Sequence, residues 1–244
     1  MGNDSGNNEY AIKIEGLTKS FGGYRALRGI DLKVREGECL AVFGPNGAGK
    51  TTLIKVLATL SRPAKGKVQL TGLDIKNDAV SIRRQIGVIG HQTLLYDSLT
   101  AYENLKFYGK MYDVPNLEQR IIEVIDQVDL KNRLHDRVDS FSRGMQQRLS
   151  IARAILHNPV IMLMDEPETG LDLHASTMLG RPLKTLGSGK KTVLMTTHNL
   201  KLGLELSDRI IILHKGRIVH HDSTLNMELA SLHESYNRYT GAEV

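Results

Sequence analysis

The stretch Leu40-Ala41-Val42-Phe43-Gly44-Pro45-Asn46-Gly47-Ala48-Gly49-Lys50-Thr51-Thr52-Leu53 decides how this chain is read. Its opening residues form a compact apolar run, as a buried strand does. After it, a helix is predicted over Lys50–Leu60, with Leu53, Val56, Leu57 and Leu60 on one face. Between the two, Gly44–Thr51 has the spacing G-x-x-x-x-G-K-[ST]. Glycines there let the backbone curl until successive N–H groups point at phosphate oxygens. The helix N-terminus adds its positive end, Lys50 can reach the outer phosphates, and the Thr51 hydroxyl can ligate Mg²⁺. A strand, this loop and a helix together read as a cradle for a nucleoside triphosphate, formed by Gly44, Pro45, Asn46, Gly47, Ala48, Gly49, Lys50, Thr51 and Thr52.

Outward from the loop, short strand-like runs alternate with helical patterns, which predicts an α/β protein with a largely parallel sheet. Tyr10–Glu15, Ile30–Val34, Val68–Thr71, Ile86–Ile89, Val160–Met164, Thr192–Thr196 and Arg209–Leu213 are strand candidates. Lys215-Gly216 reads as a hairpin turn into Ile218–His220. From Thr100 to Leu156 the pattern is helical, an insertion of about 60 residues into the sheet core.

Two further sites fall at strand ends, where open α/β sheets place their ligands. Val160-Ile161-Met162-Leu163-Met164 runs into Asp165-Glu166. Asp165 suits a Mg²⁺-positioning acid, and Glu166 a general base for an attacking water. His198 follows Thr192–Thr196, where an imidazole can bond the γ-phosphate and orient water. The remaining histidines show no metal-ligand spacing.

Composition sets the limits. The chain has 244 residues, 41% hydrophobic and 24% charged, which excludes collagenous, low-complexity and wholly disordered classes. No apolar run approaches the roughly 18 residues of a membrane-spanning helix. One cysteine, Cys39, excludes an intrachain disulfide and a cysteine zinc cage, and its apolar surroundings predict a buried, inert thiol. Lys plus Arg exceed Asp plus Glu by 32 to 27, for a net charge of +5, but without a dense basic block. A solvated surface is therefore expected rather than a nucleic-acid tail.

The order Gly44–Thr51, Gln92, Ser142-Arg143-Gly144-Met145-Gln146, Asp165-Glu166-Pro167, Gly170-Leu171-Asp172 and His198 resembles the ATP-binding subunit of an ATP-binding-cassette (ABC) transporter. The resemblance covers about Tyr10 to Asp222. It implies a P-loop nucleotide-binding core with a mixed sheet, an antiparallel β lobe and an inserted α-helical lobe at about 93–156. Residues 10–222 would form this domain, 1–9 a loose tail and 223–244 a C-terminal helical extension. It further implies ATP and Mg²⁺ as ligands, head-to-tail pairing with a second copy or a homologous ATPase domain, and a membrane-spanning permease partner. The subunit would then sit peripherally at the cytoplasmic face of the membrane, with no nucleic acid involved.

Position by position, Phe21 resembles the aromatic that stacks on adenine, a core phenylalanine being the alternative. Gln92 resembles the lid glutamine that touches Mg²⁺ and water, joining Thr51 and Asp165 as metal candidates. Asp172 resembles the acid linking two sites across the dimer. Ser142 and Gly144, with Arg143, Met145 and Gln146, resemble the signature that grips the opposite subunit's γ-phosphate, helped by a helix beginning near Met145. The commonest form is Leu-Ser-Gly-Gly-Gln. Arg143 therefore departs from it, as Glu168 departs where an aromatic or small polar residue is frequent.

Gly90–Asp97, Ser98–Leu105 and Phe141–Arg153 are phrased like the haem-exporter ATPase of cytochrome c maturation, and drug, lipid and polysaccharide exporters are the alternatives. A DNA-maintenance relative would need a long coiled coil between Lys50 and Ser142, where the spacing is too short. A translation factor would need two cassettes, and a regulatory module would tend to lack Glu166. Five of the aromatics gather at Tyr96, Tyr102, Phe107, Tyr108 and Tyr112. Helical spacing puts Tyr102, Leu105, Tyr108 and Tyr112 on one face, either packed in the helical lobe or lining a permease groove beside Gln92.

Overall fold

The computed structural model describes residues 9–90, 92–168 and 191–241. Strands β1 (Tyr10–Phe21) and β2 (Tyr24–Arg35) form a long hairpin. They are joined by β4 (Lys65–Leu70) and β5 (Leu73–Asp74) in an antiparallel sheet ordered β2-β1-β4-β5. The second sheet is ordered β10-β9-β3-β8-β7-β6. In it β3 (Cys39–Phe43), β6 (Ile86–Ile89), β7 (Ile161–Asp165), β8 (Thr192–Thr196) and β9 (Arg209–His214) run parallel. β10 (Arg217–Ser223) turns back antiparallel at the edge. Lys215 and Gly216, with φ of 48° and 77°, make the two-residue turn between β9 and β10.

Alternation along the core strands sorts their side chains into two layers. Phe43, Met162, Met164, Met195, Ile210 and Ile212 face one cluster, together with α3 (Ala101–Met111), α4 (Leu117–Gln127) and α5 (Arg143–Ile155). Leu232 of α7 (Leu229–Thr240) and Leu200 of α6 (Leu200–Leu206) complete that side. Leu40, Val42, Leu163, Leu194, Ile211 and Leu213 face the other cluster, against α1 (Lys50–Leu57) and the antiparallel sheet. A short α2 (Ala79–Arg83) leads into β6. Both faces of the parallel strands are covered, as parallel sheets require.

Several expectations are adjusted. The first hairpin is longer than its apolar runs, because cross-strand pairing carries polar residues such as Lys19 and Arg28 to the Gly22-Gly23 turn. Helix α1 ends at Leu57, since Thr59 is left-handed at φ 60°. Leu60 is consequently 67% exposed rather than on the buried face. Helix α5 begins at Arg143, two residues before the expected point, because Ser142 caps it by accepting the Met145 N–H at 3.3 Å. Cys39 is half-buried, and burial, reinforced by Asp208 and Glu38, pushes its thiol up to about 12, which keeps it protonated and inert.

Candidate functional site

The loop after β3 is shaped by what lies behind it. Gly44 has φ 153°, and a Cβ there would stand 2.1 Å from the Leu213 carbonyl oxygen. Gly49, at φ 110°, opens α1, and a Cβ would fall 2.7 Å from the Ala26 carbonyl oxygen. No side chain fits at either place. Pro45 through Thr52 line a cavity of about 280 Å³ with Phe21, Tyr24, Ala26 and Glu166. Phe21 is 52% exposed, which removes the core alternative. The ammonium of Lys19 stands 4.8 Å from the Phe21 ring centroid.

Tyr24 was not singled out from the sequence. It is the cross-strand partner of Phe21, and its hydroxyl donates to the Gly47 carbonyl at 3.1 Å. The Phe-Gly-Gly-Tyr hairpin was the available signal, since a two-residue turn places its flanking side chains together.

Lys50 is 5% exposed. Its amine donates to the Gly44 carbonyl at 2.6 Å and lies 3.6 Å from Glu166 Oε1 and 3.2 Å from His198 Nε2. Burial pulls its pKa below the ordinary lysine value, while Glu166, Asp165 and Glu168 oppose that shift. His198 Nε2 also meets Glu166 Oε1 at 2.5 Å. One ring nitrogen cannot donate to Glu166 and accept from Lys50 at once, so the shorter contact identifies Nε2–H as donor to the carboxylate.

The turn after β7 is tight. Glu166 has φ 51°, and its N–H donates to the Thr196 carbonyl at 3.0 Å and to the Thr196 hydroxyl at 3.1 Å. That left-handed backbone sends the two neighbouring acids to different cavities. Asp165, 4% exposed, accepts from the Thr196 hydroxyl at 2.7 Å. It lines a second cavity of about 280 Å³ with Thr51 and Gln92, walled by Ile54, Leu60, Val88, Ile89 and Leu94. Thr51 is common to both cavities. The structure thus brings together Phe21, the loop, Gln92, Asp165, Glu166 and His198.

The Ser142–Gln146 segment stands apart. None of its residues lines either cavity. Ser142 and Arg143 are exposed, Gly144 and Met145 are half-buried, and the Gln146 amide donates to the Val138 carbonyl at 3.2 Å. Asp172 lies outside the described residues. Among the described residues no group of three or more His, Cys, Asp or Glu is placed to hold a metal, and no helix is long and apolar enough to cross a membrane.

Tyr102 follows the packed alternative of the two. Its hydroxyl donates to Glu118 at 2.6 Å and its ring packs on the helical core. Tyr112 stacks on His157 at 4.0 Å, and Tyr108 donates to the Leu94 carbonyl. Leu105 is buried on this face, with Tyr102 and Tyr108 half-buried against the same core. Between Leu94 and Tyr112 the exposed large apolar residues are Leu94, Tyr96, Phe107 and Met111, with the Tyr96 and Phe107 rings edge-to-face at 5.2 Å.

Residues 27–169 match the family described as ABC transporter. The chain is 35% identical over 214 residues to the ABC transporter ATP-binding protein NatA of Bacillus subtilis (strain 168), spanning 86% of this chain and 85% of that one. It is 36% identical over 211 residues to the daunorubicin resistance ATP-binding protein DrrA3 of Streptomyces coeruleorubidus, spanning 86% and 67%. With the Nod factor export ATP-binding protein I of Rhizobium meliloti the identity is 34% over 209 residues, spanning 85% and 62%. Among solved structures, an ATP-binding cassette in a dimeric post-hydrolysis state bound to ADP and Pi superposes with a TM-score of 0.78, at 27% identity, over 87% of this chain and 98% of that one. A phosphate loop on a core strand, acids at the next strand's end and relatives at this identity lead to one family: the chain belongs to the ABC transporters, as an ATP-binding subunit that hydrolyses ATP.

Proposed function

We propose that the chain hydrolyses Mg²⁺-ATP at a site shared between two copies and thereby drives a membrane permease that exports a drug-like compound. The observation that carries the chemistry is the position of Glu166, held between the His198 imidazole and the Lys50 amine at the exit of β7. The triphosphate lies along the backbone N–H groups of Pro45–Thr51, and Lys50 exchanges its contact with the Gly44 carbonyl for the outer phosphates. Adenine stacks on the Phe21 ring beside Tyr24. Glu166 takes the proton of the attacking water. His198 holds that carboxylate in place and is within reach of the γ-phosphate.

The donors lining the second cavity fit Mg²⁺: the Thr51 hydroxyl, the Asp165 carboxylate and the Gln92 amide oxygen are hard ligands, few enough to leave places for phosphate and water. When bound, Mg²⁺ supplies charge neutralisation for the phosphates. The Ser142 and Gly144 region, remote from its own loop, serves the opposite copy's γ-phosphate, and Asp172 belongs to that junction. Leu94, Tyr96, Phe107 and Met111 form the permease contact, so the subunit attaches to the cytoplasmic face of the membrane through that partner. Residues 1–9 act as a tail and 223–244 as an extension of the 10–222 domain.

The relatives' names speak of daunorubicin resistance and Nod factor export, which favours a drug exporter. The haem-exporter phrasing draws no support from them.

The test is complementation in trans. Lys50→Ala and Ser142→Ala chains should each be inactive alone, and mixing them should restore one complete site per mixed dimer. Specific activity of the native chain should rise with its concentration. Flat activity on dilution, with no recovery on mixing, would refute the shared site.

A further inference from the structure

We propose that Glu168 is a positioning residue for hydrolysis: through the Thr197 hydroxyl it clamps the loop that presents His198 to Glu166. This rests on the roles just given to Glu166 and His198. The β7 and β8 ends are tied by three successive side-chain contacts. The Thr196 hydroxyl donates to Asp165 at 2.7 Å, His198 meets Glu166 at 2.5 Å, and the Thr197 hydroxyl donates to Glu168 Oε1. The third contact determines the orientation of the second.

Thr197 is fully buried. Because its hydroxyl proton is committed to a carboxylate, a charge-assisted bond, its oxygen is left to accept the Asn199 N–H at 2.9 Å. Thr197 N–H is bonded to the Val42 carbonyl at 3.3 Å, and Asn199 caps α6 through Leu202 N–H at 3.0 Å. Both residues flanking His198 are thereby fixed to β3, to α6 and to Glu168. The imidazole itself is 41% exposed, so the flanking backbone contributes to holding it against Glu166.

The arrangement is unfavourable for stability alone. Among the described residues, the Oε2 atom of half-buried Glu168 is shielded from solvent and has no hydrogen-bond partner. A buried carboxylate oxygen without a donor is destabilising, and a glutamine of the same shape would carry no such charge. An acid in this place is explained by the stronger hold a carboxylate exerts on the Thr197 hydroxyl.

The experiment is a double-mutant cycle on the full chain with Mg²⁺-ATP. Glu168→Ala should lower kcat about 10- to 100-fold, as small misplacements of a reacting group do. KM for ATP should stay within about twofold, because uniform binding is untouched. In a His198→Ala background, Glu168→Ala should cost under about threefold more, since coupled residues are not additive. Glu168→Gln, a weaker neutral acceptor of the same shape, should recover only part of the lost kcat and melt no lower than the native chain.

Thr197→Val and Thr197→Ser give the same contrast through the other partner should Glu168→Ala fail to fold, with the serine retaining turnover and the valine losing it. An unchanged kcat in Glu168→Ala, or a loss that multiplies in full with His198→Ala, would overturn the proposal. Native turnover in His198→Ala would instead overturn the role of His198, and so separates the two failures.

Discussion

Asp165 and Glu166 are neighbours in the chain, yet each belongs to a different cavity, and the two cavities are built in different ways. The one reached by Glu166 is mostly local: Pro45 to Thr52 supply its floor as consecutive residues, with Phe21 and Tyr24 added by one hairpin. The one reached by Asp165 collects Ile54 from α1, Leu60 from the loop beyond it, Val88 and Ile89 from β6, and Gln92 and Leu94 from the segment that follows. The first is backbone-lined and suited to fixed chemistry. The second has apolar walls that continue towards Leu94, Tyr96 and Phe107, which suits communication with another protein. Thr51 touches both, so a nucleotide-bound ion there would be felt on either side.

The division between chemistry and docking can be broken most decisively at Glu166. Glu166→Gln should lower kcat by about 10²–10⁴-fold while nucleotide binding persists. It should also accumulate an ATP-dependent dimer in size-exclusion chromatography. Native turnover in that variant would end the general-base role and with it the contrast between the two acids.

A smaller effect tests how firmly the helical side is joined to the sheet. His157 Nε2 bonds the Ile86 carbonyl at 3.0 Å, and burial pushes its pKa down to about 4, aided by Lys191, Arg153 and Arg120. Between the ordinary value of 6.5 and about 4, the unfolded chain binds a proton that the folded chain refuses. Stability should therefore fall as pH drops through that window, by about 2–3 kcal/mol, and should not depend on this group above it. In His157→Phe, which can still stack on Tyr112, denaturant titrations should lose that part of the slope.

The docking side is sharpened by Tyr96→Ala and Phe107→Ala. Aromatic anchors at interfaces typically contribute about 2 kcal/mol each, so pull-down of the permease should weaken roughly 30-fold with an unchanged circular dichroism spectrum. Equal retention of the permease would return these rings to ordinary surface. The mildest change is Thr100→Ala, which removes the reciprocal capping box with Glu103 at the start of α3. It should lower stability by about 1 kcal/mol in thermal unfolding and leave the phosphate-loop cavity as it is.

Legibility in the sequence followed the same division. Gly44–Thr51 could be read because its physics is contained in eight successive residues. The core strands could be read because burial on both faces leaves apolar runs, down to the match of β8 with Thr192–Thr196. Tyr24 escaped because its place depends on cross-strand register, not on its neighbours in sequence. Leu60 was misassigned because helical periodicity does not report where a left-handed residue such as Thr59 stops the helix. Tyr102 shows the same limit: spacing defined the stripe on α3 correctly, but not which way the stripe looks. Phe107 looks out from the other side of α3, and the exposed Tyr96 ring comes from the segment before the helix.

One bond bears on the order in which the molecule can be assembled. Gly216 N–H donates to the Ala48 carbonyl at 2.9 Å, so the β9–β10 turn braces the phosphate loop from far along the chain. The strand that carries the loop is in the same position, since Cys39 pairs with Val193 and Leu40 with Arg209. During synthesis β3 therefore emerges with neither neighbour available, and such distant pairing makes folding slow. Nucleotide affinity should appear only when the segment through Gly216 has left the ribosome. ATP binding by a nascent chain would then serve as a timer for completion of the sheet.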